Sequence, residues 1–125
     1  MNSTELKRRS KQFALAVMDL EEVLPKSLKA RTIYGQLLRS SSSVGANYRA
    51  ACRAKSTADF ISKIDTVEEE ADESCFWLEL LEEGKVLLPA QIQPLWREAN
   101  ELTAIFTQAS ITTKERHRKK SPPRG

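Results

Sequence analysis

Residues 56–84 read STADFISKIDTVEEEADESCFWLELLEEG, and this stretch decides the fold class. Apolar or small residues recur along it with spacings of 4, 3, 4, 3, 4 and 3, at Phe60, Ile64, Val67, Ala71, Ser74, Leu78 and Leu81. An uninterrupted heptad of this kind is typical of a long helix that packs along one face. Ser56 and Asp59 form a near capping box, and Gly84 is a natural stop. The pattern predicts one helix from Ser56 to Gly84.

The preceding stretch predicts a second helix, from about Lys26 to Lys55. Its apolar face is Ile33, Leu37, Val44, Tyr48 and Ala51. Residues 40–46, SSSSVGA, are poor helix formers, because serine competes for backbone hydrogen bonds and glycine costs roughly 1 kcal/mol against alanine. A loop is the alternative there. The apolar register continues across the stretch, which favours a helix whose small side chains allow close packing.

Two further helices flank this pair. The first runs from about Thr4, capped by Ser3 or Thr4, to Leu24, where Pro25 ends it. The other begins at Pro89 and fades near Thr112–Thr113, two residues of poor helix propensity. Four helices with short links predict an all-α, up-down-up-down antiparallel four-helix bundle. We place the bundle domain at residues 1–113 and a basic, disordered tail at residues 114–125.

The net charge of +3 is unevenly distributed. Residues 114–125 carry +5, which leaves residues 1–113 at −2. The tail is either a solubilising end or an arm that binds polyanions. Its basic residues are Lys114, Arg116, Arg118, Lys119, Lys120 and Arg124.

Several function classes find no support in the residues present. His117 is the one histidine, so a metal site or a histidine-assisted nucleophile inside the bundle lacks its parts. The hairpin geometry separates Cys52 and Cys75 by about 22 Å along the helices, too far for a disulfide, and predicts small core residues. The acidic run Glu68–Glu73 is typical of a solvated or ion-paired face and not of a hydrolase. We expect no enzymatic activity, cofactor or membrane span, and a cytoplasmic protein.

The hairpin formed by the second and third helices sets complementary charges against each other. If the chain folds back at Ser56, Arg53 comes level with Asp59, and Arg39 with Glu73. The strip on the second helix is Arg39, Ser43, Asn47, Arg49 and Arg53. The facing strip is Asp59, Asp65, Glu69, Asp72 and Glu73. Such pairs usually specify register or partner choice, so we interpret them as a hairpin latch or a subunit interface.

The aromatic residues allow two interpretations. Tyr34, Tyr48, Phe76, Trp77 and Trp96 could stack on bases, but at helical spacing in a bundle they favour a core or interface role. Phe76 and Trp77 are adjacent and cannot share one face, so one of them is expected to point outward. With Leu80 it would form an exposed apolar strip, which is typical of a self-association or partner surface.

The stretch from Arg39 to Asp59 also carries a family resemblance. RSSSSVGANYRAACRAKSTAD, followed by VEEEADE at residues 67–73 and WLELL at residues 77–81, resembles the bacterial four-helix-bundle family of large-subunit rRNA intervening-sequence proteins. The same superfamily includes the accessory variability protein of diversity-generating retroelements. One departure is Ala50, where relatives often carry Glu.

The resemblance implies a bundle that assembles into a ring, typically a homopentamer, with no attributed enzymatic activity. It also implies RNA or other nucleic acid, and a reverse transcriptase, as candidate partners. Our leading hypothesis is a ring-forming adaptor that binds nucleic acid, and the alternative is a protein-interaction scaffold without a nucleic-acid role. The basic residues that we assign to nucleic-acid binding are those of the tail together with Lys7, Arg8, Arg9 and Lys11.

Overall fold

A computed structural model of the chain describes residues 1–120, which form four α-helices and no strand. The helices are α1 (Ser3–Asp19), α2 (Leu28–Ala51), α3 (Thr57–Glu83) and α4 (Pro89–Lys120). A 3-10 turn, Leu20–Val23, follows α1. The all-α prediction is confirmed.

Neighbouring helices run in opposite directions, as contacts near their ends demonstrate. The Tyr34 hydroxyl, near the start of α2, donates to the Val17 carbonyl near the end of α1 at 2.8 Å. Lys29 Nζ, also near the start of α2, donates at 2.8 Å to the carbonyl of Gly84, which caps α3. α4 packs against α3 and also meets α1.

Local capping explains where the helices begin and end. The prediction that Ser3 or Thr4 caps α1 is wrong by one or two residues, because Asn2 Oδ1 accepts from the Glu5 amide at 2.9 Å. Ser27 and Ser56 cap α2 and α3 in the same manner. Gly84 ends α3 as predicted, and a Cβ there would lie 2.7 Å from the Leu80 carbonyl oxygen. A side chain at this position would therefore force the end of α3 to shift.

The serine-rich centre of α2 is helical and closely packed, which confirms the helix interpretation over a loop. Ser40 and Ser41 are fully buried. The Ser40 hydroxyl meets that of Ser74 on α3 at 3.0 Å, so the buried groups are hydrogen-bonded. On the other side, an added Cβ at Gly45 would lie 3.4 Å from Ser10 Oγ on α1. Small side chains thus let α1 and α3 approach α2 closely.

The core contains most of the predicted stripes. Tyr34, Tyr48 and Cys75 are buried, and Cys52 is half-buried against the core, which fits the prediction of small core cysteines. The Tyr48 ring packs on Phe106 with ring centroids 5.2 Å apart. In the stretch from 1 to 120, no helix is both long and apolar enough to cross a membrane.

Helix α4 is longer than predicted, since it continues through Lys120 and does not fade near Thr112–Thr113. The Thr113 hydroxyl bonds back to the Ala109 carbonyl at 2.8 Å, and Lys114 contacts Asp65 on α3. Basic side chains in a last helical turn are also favoured by the helix dipole. The predicted disorder is therefore wrong for residues 114–120, and the predicted tail's residues 121–125 lie outside the described part. Whether the basic segment acts as a separate unit stays a prediction.

Candidate nucleic-acid interface

One end of the bundle brings together three segments that are distant in sequence. The antiparallel topology places the start of α1, the α2–α3 turn and the end of α4 at this end. Met1 and Leu6 line one groove with Arg116. Thr113 lines another with Ser56 and Phe60 at the α2–α3 turn.

Charge separates along the bundle in the same way. Residues 1–11, 49–63 and 110–120, which we call the basic end, contain thirteen lysines and arginines and three carboxylates. The rest of the described chain contains six basic and fourteen acidic residues. A field concentrated at one end attracts a polyanion much more strongly than a net charge of +3 would. Composition alone does not predict this separation, because it depends on which chain segments become neighbours.

The predicted basic residues near the N-terminus have different surroundings. Lys7 and Lys11 line a groove between α1 and α2 together with Arg49. Arg8 is exposed and donates to the Gln12 side chain at 2.9 Å.

Arg9 is half-buried and held by acids on α4. Its guanidinium donates to both carboxylate oxygens of Glu98, at 2.8 and 2.6 Å, and lies 2.9 Å from Glu101. The hydrogen bonds that Arg9 donates to Glu98 raise the pKa of Arg9 above its ordinary value, against the opposing effect of burial. We therefore leave Arg9 out of the basic surface that faces solvent.

The basic residues of α4 project from its last two turns. Lys114 Nζ lies 3.2 Å from Asp65 Oδ2, while Arg116, Arg118, Lys119 and Lys120 are exposed. Asp65 also accepts from the buried Ser110 hydroxyl at 2.6 Å, and this bond, with Lys114, lowers the pKa of the carboxyl. Arg124, the last residue of the predicted set, lies outside the described residues.

The predicted latch between α2 and α3 forms at one of its two arginine–carboxylate positions. Arg39 pairs with Glu73, as expected, and also with Glu70 at 3.1 Å. Arg53 does not pair with Asp59 within the described chain. Asp59 lies in the first turn of α3. Its Oδ1 is 2.5 Å from Nζ of Lys63, one helical turn later, and its Oδ2 accepts from the Lys55 amide at 3.1 Å. Nearer partners on its own helix and turn therefore replace the cross-helix one.

The other predicted members of the two strips are placed as follows. Asn47 donates its amide to the Ser43 carbonyl at 2.8 Å, so both belong to a bond within α2. Glu69 and Asp72 are exposed on α3. Asp65 turns toward α4, where it meets Ser110 and Lys114. The acidic strip thus serves α3–α4 packing as well as the α2–α3 hairpin.

The predicted outward aromatic on α3 is Phe76, which is 50% exposed. Its ring meets Trp77 edge-on with centroids 5.0 Å apart, and Trp77 is half-buried against the core. The Trp77 indole N–H is buried and finds no hydrogen-bond partner within residues 1–120. Leu80, one turn on, is half-buried, so the exposed apolar strip consists mainly of Phe76.

Some contacts of this region have no sequence signal. Nothing in the spacing indicates that Arg49 faces Lys7 and Lys11, or that Ser110 bonds to Asp65. Trp96, predicted as core or interface, is half-buried and donates its indole N–H to Glu79 at 2.9 Å. In the described part of the chain, no group of three or more histidine, cysteine or acidic residues is arranged to hold a metal ion.

Comparison with known proteins finds a matching family profile and similar solved structures. The sequence profile of the family described as 23S rRNA-intervening sequence protein matches residues 2–108. A crystal structure from Bacteroides thetaiotaomicron VPI-5482, described as a protein with unknown function from the S23 ribosomal protein family, has a TM-score of 0.80. The two sequences are 32% identical, and the match covers 88% of this chain and 98% of the Bacteroides chain. No curated protein matches the chain.

Proposed function

This chain belongs to the family of 23S rRNA-intervening sequence proteins, and we propose that it is a non-enzymatic adaptor that binds RNA or other nucleic acid. The binding surface is the basic end of the bundle. The observation that carries the proposal is the excess of basic residues, thirteen against three carboxylates, in residues 1–11, 49–63 and 110–120. Two of the thirteen, Arg9 and Lys114, pair with acids from outside these segments, and Arg9 is not part of the proposed surface.

The chemistry of this end fits a phosphate backbone better than a base-reading site. Arg116, Arg118, Lys119 and Lys120 are exposed within the last one to two turns of α4, so each can neutralise a phosphate. Contacts of this kind release counterions and supply affinity without reading sequence. Tyr34 and Tyr48, which could have stacked on bases, are buried in the core. The expected binding is therefore tolerant of sequence and strongly dependent on salt.

Assembly into a ring, with a homopentamer as the expected form, belongs to the same proposal. The exposed Phe76 beside the unpaired indole N–H of Trp77 supports an interface on the outer face of α3. Several basic ends on one assembly would raise the affinity for a long polyanion through effective concentration. A reverse transcriptase is a candidate protein partner by resemblance, and we expect the complex to act in the cytoplasm.

The test compares two charge-matched variants of the full chain by fluorescence anisotropy with a labelled single-stranded RNA. The first changes Arg116, Arg118, Lys119 and Lys120 to Gln. The control changes four basic residues outside the basic end, Lys26, Arg31, Lys85 and Arg97, to Gln. Each single-strand phosphate contact contributes roughly 0.7 to the slope of log affinity against log salt. We expect the first variant to lower the slope by about 2–3 and the control to change it little.

A protein-interaction scaffold is the second candidate, and the exposed Phe76 is the observation that favours it. It predicts no RNA binding by the unmodified chain even at low salt. Loss of affinity to the same extent in both charge variants would also contradict the proposed nucleic-acid surface, because it would report net charge and not position.

A further inference from the structure

We infer that the groove between α1 and α2 is a phosphate-binding site, in which Lys7, Lys11 and Arg49 hold the phosphodiester backbone of a bound strand. The inference rests on the proposed function and assigns a specific site within the basic end. It also gives Arg49, which sequence reasoning assigned to a helix latch or subunit interface, a role in ligand binding.

The three cations converge without acids to neutralise them. Lys7 and Lys11 lie one turn apart on α1, a rise of about 6 Å, and Arg49 reaches the same groove from α2. None of the three forms an ion pair with any residue in the stretch from 1 to 120. By contrast, the neighbouring Arg9 is held by Glu98 and Glu101. Three exposed cations around one groove create a local field that an anion would relieve.

The floor of the groove is made of small residues, so a ligand can approach the helix backbones. Ser10, Ala14, Ser42, Gly45 and Ala46 line it between the cations. Its volume is about 200 Å³, which is below the ~300–1,000 Å³ of sites that enclose a drug-sized molecule. The size and charge together fit a phosphate group better than a base or a metabolite.

The groove belongs to the same end of the bundle as the last turns of α4. Leu6 on α1 and Arg116 on α4 line one groove, and Lys7 is the residue after Leu6. A strand seated between α1 and α2 could therefore continue toward the exposed basic residues of α4. Binding at the groove would set the path of the strand across the basic end, whereas the α4 residues would add affinity along it.

Two kinds of variant of the full chain test the site, both assayed with the labelled RNA. Lys7→Gln and Arg49→Gln remove one cation each, with Lys26→Gln and Arg31→Gln as controls outside the basic end. Ala46→Phe fills the groove without changing charge, with the exposed Ala104→Phe on α4 as its control. Circular dichroism and thermal melts confirm that each variant is folded.

We expect Lys7→Gln and Arg49→Gln each to weaken binding about 5–10-fold at low salt and to lower the salt slope by roughly 0.7. Arg49→Lys should retain most of the binding, because it keeps the charge. Ala46→Phe should weaken binding to a similar extent while Ala104→Phe does not.

Two results together would overturn the site. One is that a folded Ala46→Phe variant binds RNA as tightly as the unmodified chain. The other is that Lys7→Gln and Arg49→Gln weaken binding no more than Lys26→Gln and Arg31→Gln do. In that case the unmodified chain would still bind RNA, so the proposed function would stand. Absence of RNA binding by the unmodified chain at low salt would overturn both.

Discussion

The guanidinium of Arg9 on α1 forms a two-pronged contact with the carboxylate of Glu98 on α4, with nitrogen–oxygen distances of 2.8 and 2.6 Å. In the described chain, the ion pairs that join α1 to another helix all use Arg9. Arg9 and Glu98 are partly buried, with side chains 18% and 29% exposed. The first helix is therefore tied to the last by one arginine in addition to apolar packing.

Replacing Arg9 with Gln should lower the free energy of unfolding by about 1–2 kcal/mol, because hydrogen bonds to charged groups are stronger than neutral ones. Urea unfolding measures the change. Arg8→Gln is the matched control, since Arg8 is exposed and its side chain donates a hydrogen bond to Gln12 on the same helix. It should stay within about 0.5 kcal/mol of the unmodified chain. Equal effects of the two substitutions would show that the Arg9 contact adds nothing to stability.

The two glycines inside α2 should respond differently to substitution. A Cβ at the exposed Gly35 would meet nothing within 4 Å, so Gly35→Ala should stabilise the protein by about 0.5–1 kcal/mol through helix propensity. At Gly45 the added carbon would touch Ser10 Oγ at 3.4 Å, and Gly45→Val should destabilise by forcing α1 away. Thermal unfolding of both variants tests the contrast. A Gly45→Val variant that unfolds at the same temperature as the unmodified chain would contradict the close packing of α1 on α2.

The hydrogen bond from Ser110 to Asp65 predicts a pH dependence of stability. The pKa of Asp65 is lowered in the folded state by Ser110 first and by Lys114 second. Its contribution is therefore present above the unfolded pKa of about 3.9 and is lost as pH falls through the lower folded value. The carboxylate is more than a third exposed, so solvent screening limits the contribution to less than about 1 kcal/mol.

Asp65→Asn should thus be less stable than the unmodified chain at pH 7, and the two stabilities should converge as the pH falls through the lowered folded-state pKa of Asp65. Chemical unfolding across this range gives the difference. Ser110→Ala, which removes the principal donor, should reduce the same pH dependence. A constant gap between Asp65→Asn and the unmodified chain at all pH values would contradict the linkage.

The two cysteines should be distinguishable by thiol labelling. Burial, with the charges of Asp72 and Glu79, raises the pKa of the Cys75 thiol to about 11. At pH 8 its thiolate fraction is then a few hundred-fold below that of an ordinary cysteine of pKa ~8.5. In a Cys52→Ser variant, the remaining thiol should react with an aromatic disulfide reagent only after denaturant is added. Rapid labelling in the native state would contradict the burial of Cys75.

The local elements follow from the sequence because their causes are local. Each local signal in α3 acts over a few residues and is found where the pattern predicts it. These signals are the apolar heptad, the Ser56 N-cap and the end of the helix at Gly84. The serine-rich centre of α2 remains helical because Leu37, Val44 and Tyr48 keep one buried face across it. The sequence predicts the end of α4 too early. The low helix propensity of Thr112 and Thr113 is a local property, whereas the contact between Lys114 and Asp65 depends on how α4 packs against α3.

By itself, the sequence determined four amphipathic helices and their order, because periodicity and capping depend on residues that are close in the chain. It also determined the family to which the chain is similar. Only the tertiary structure decided which charges meet. Arg9 is held by α4, Asp59 pairs with Lys63 and not with Arg53, and Arg49 joins Lys7 and Lys11 at one groove. These outcomes depend on how the helices rotate and approach one another. That geometry comes from side-chain packing across the whole bundle and has no counterpart in residue spacing.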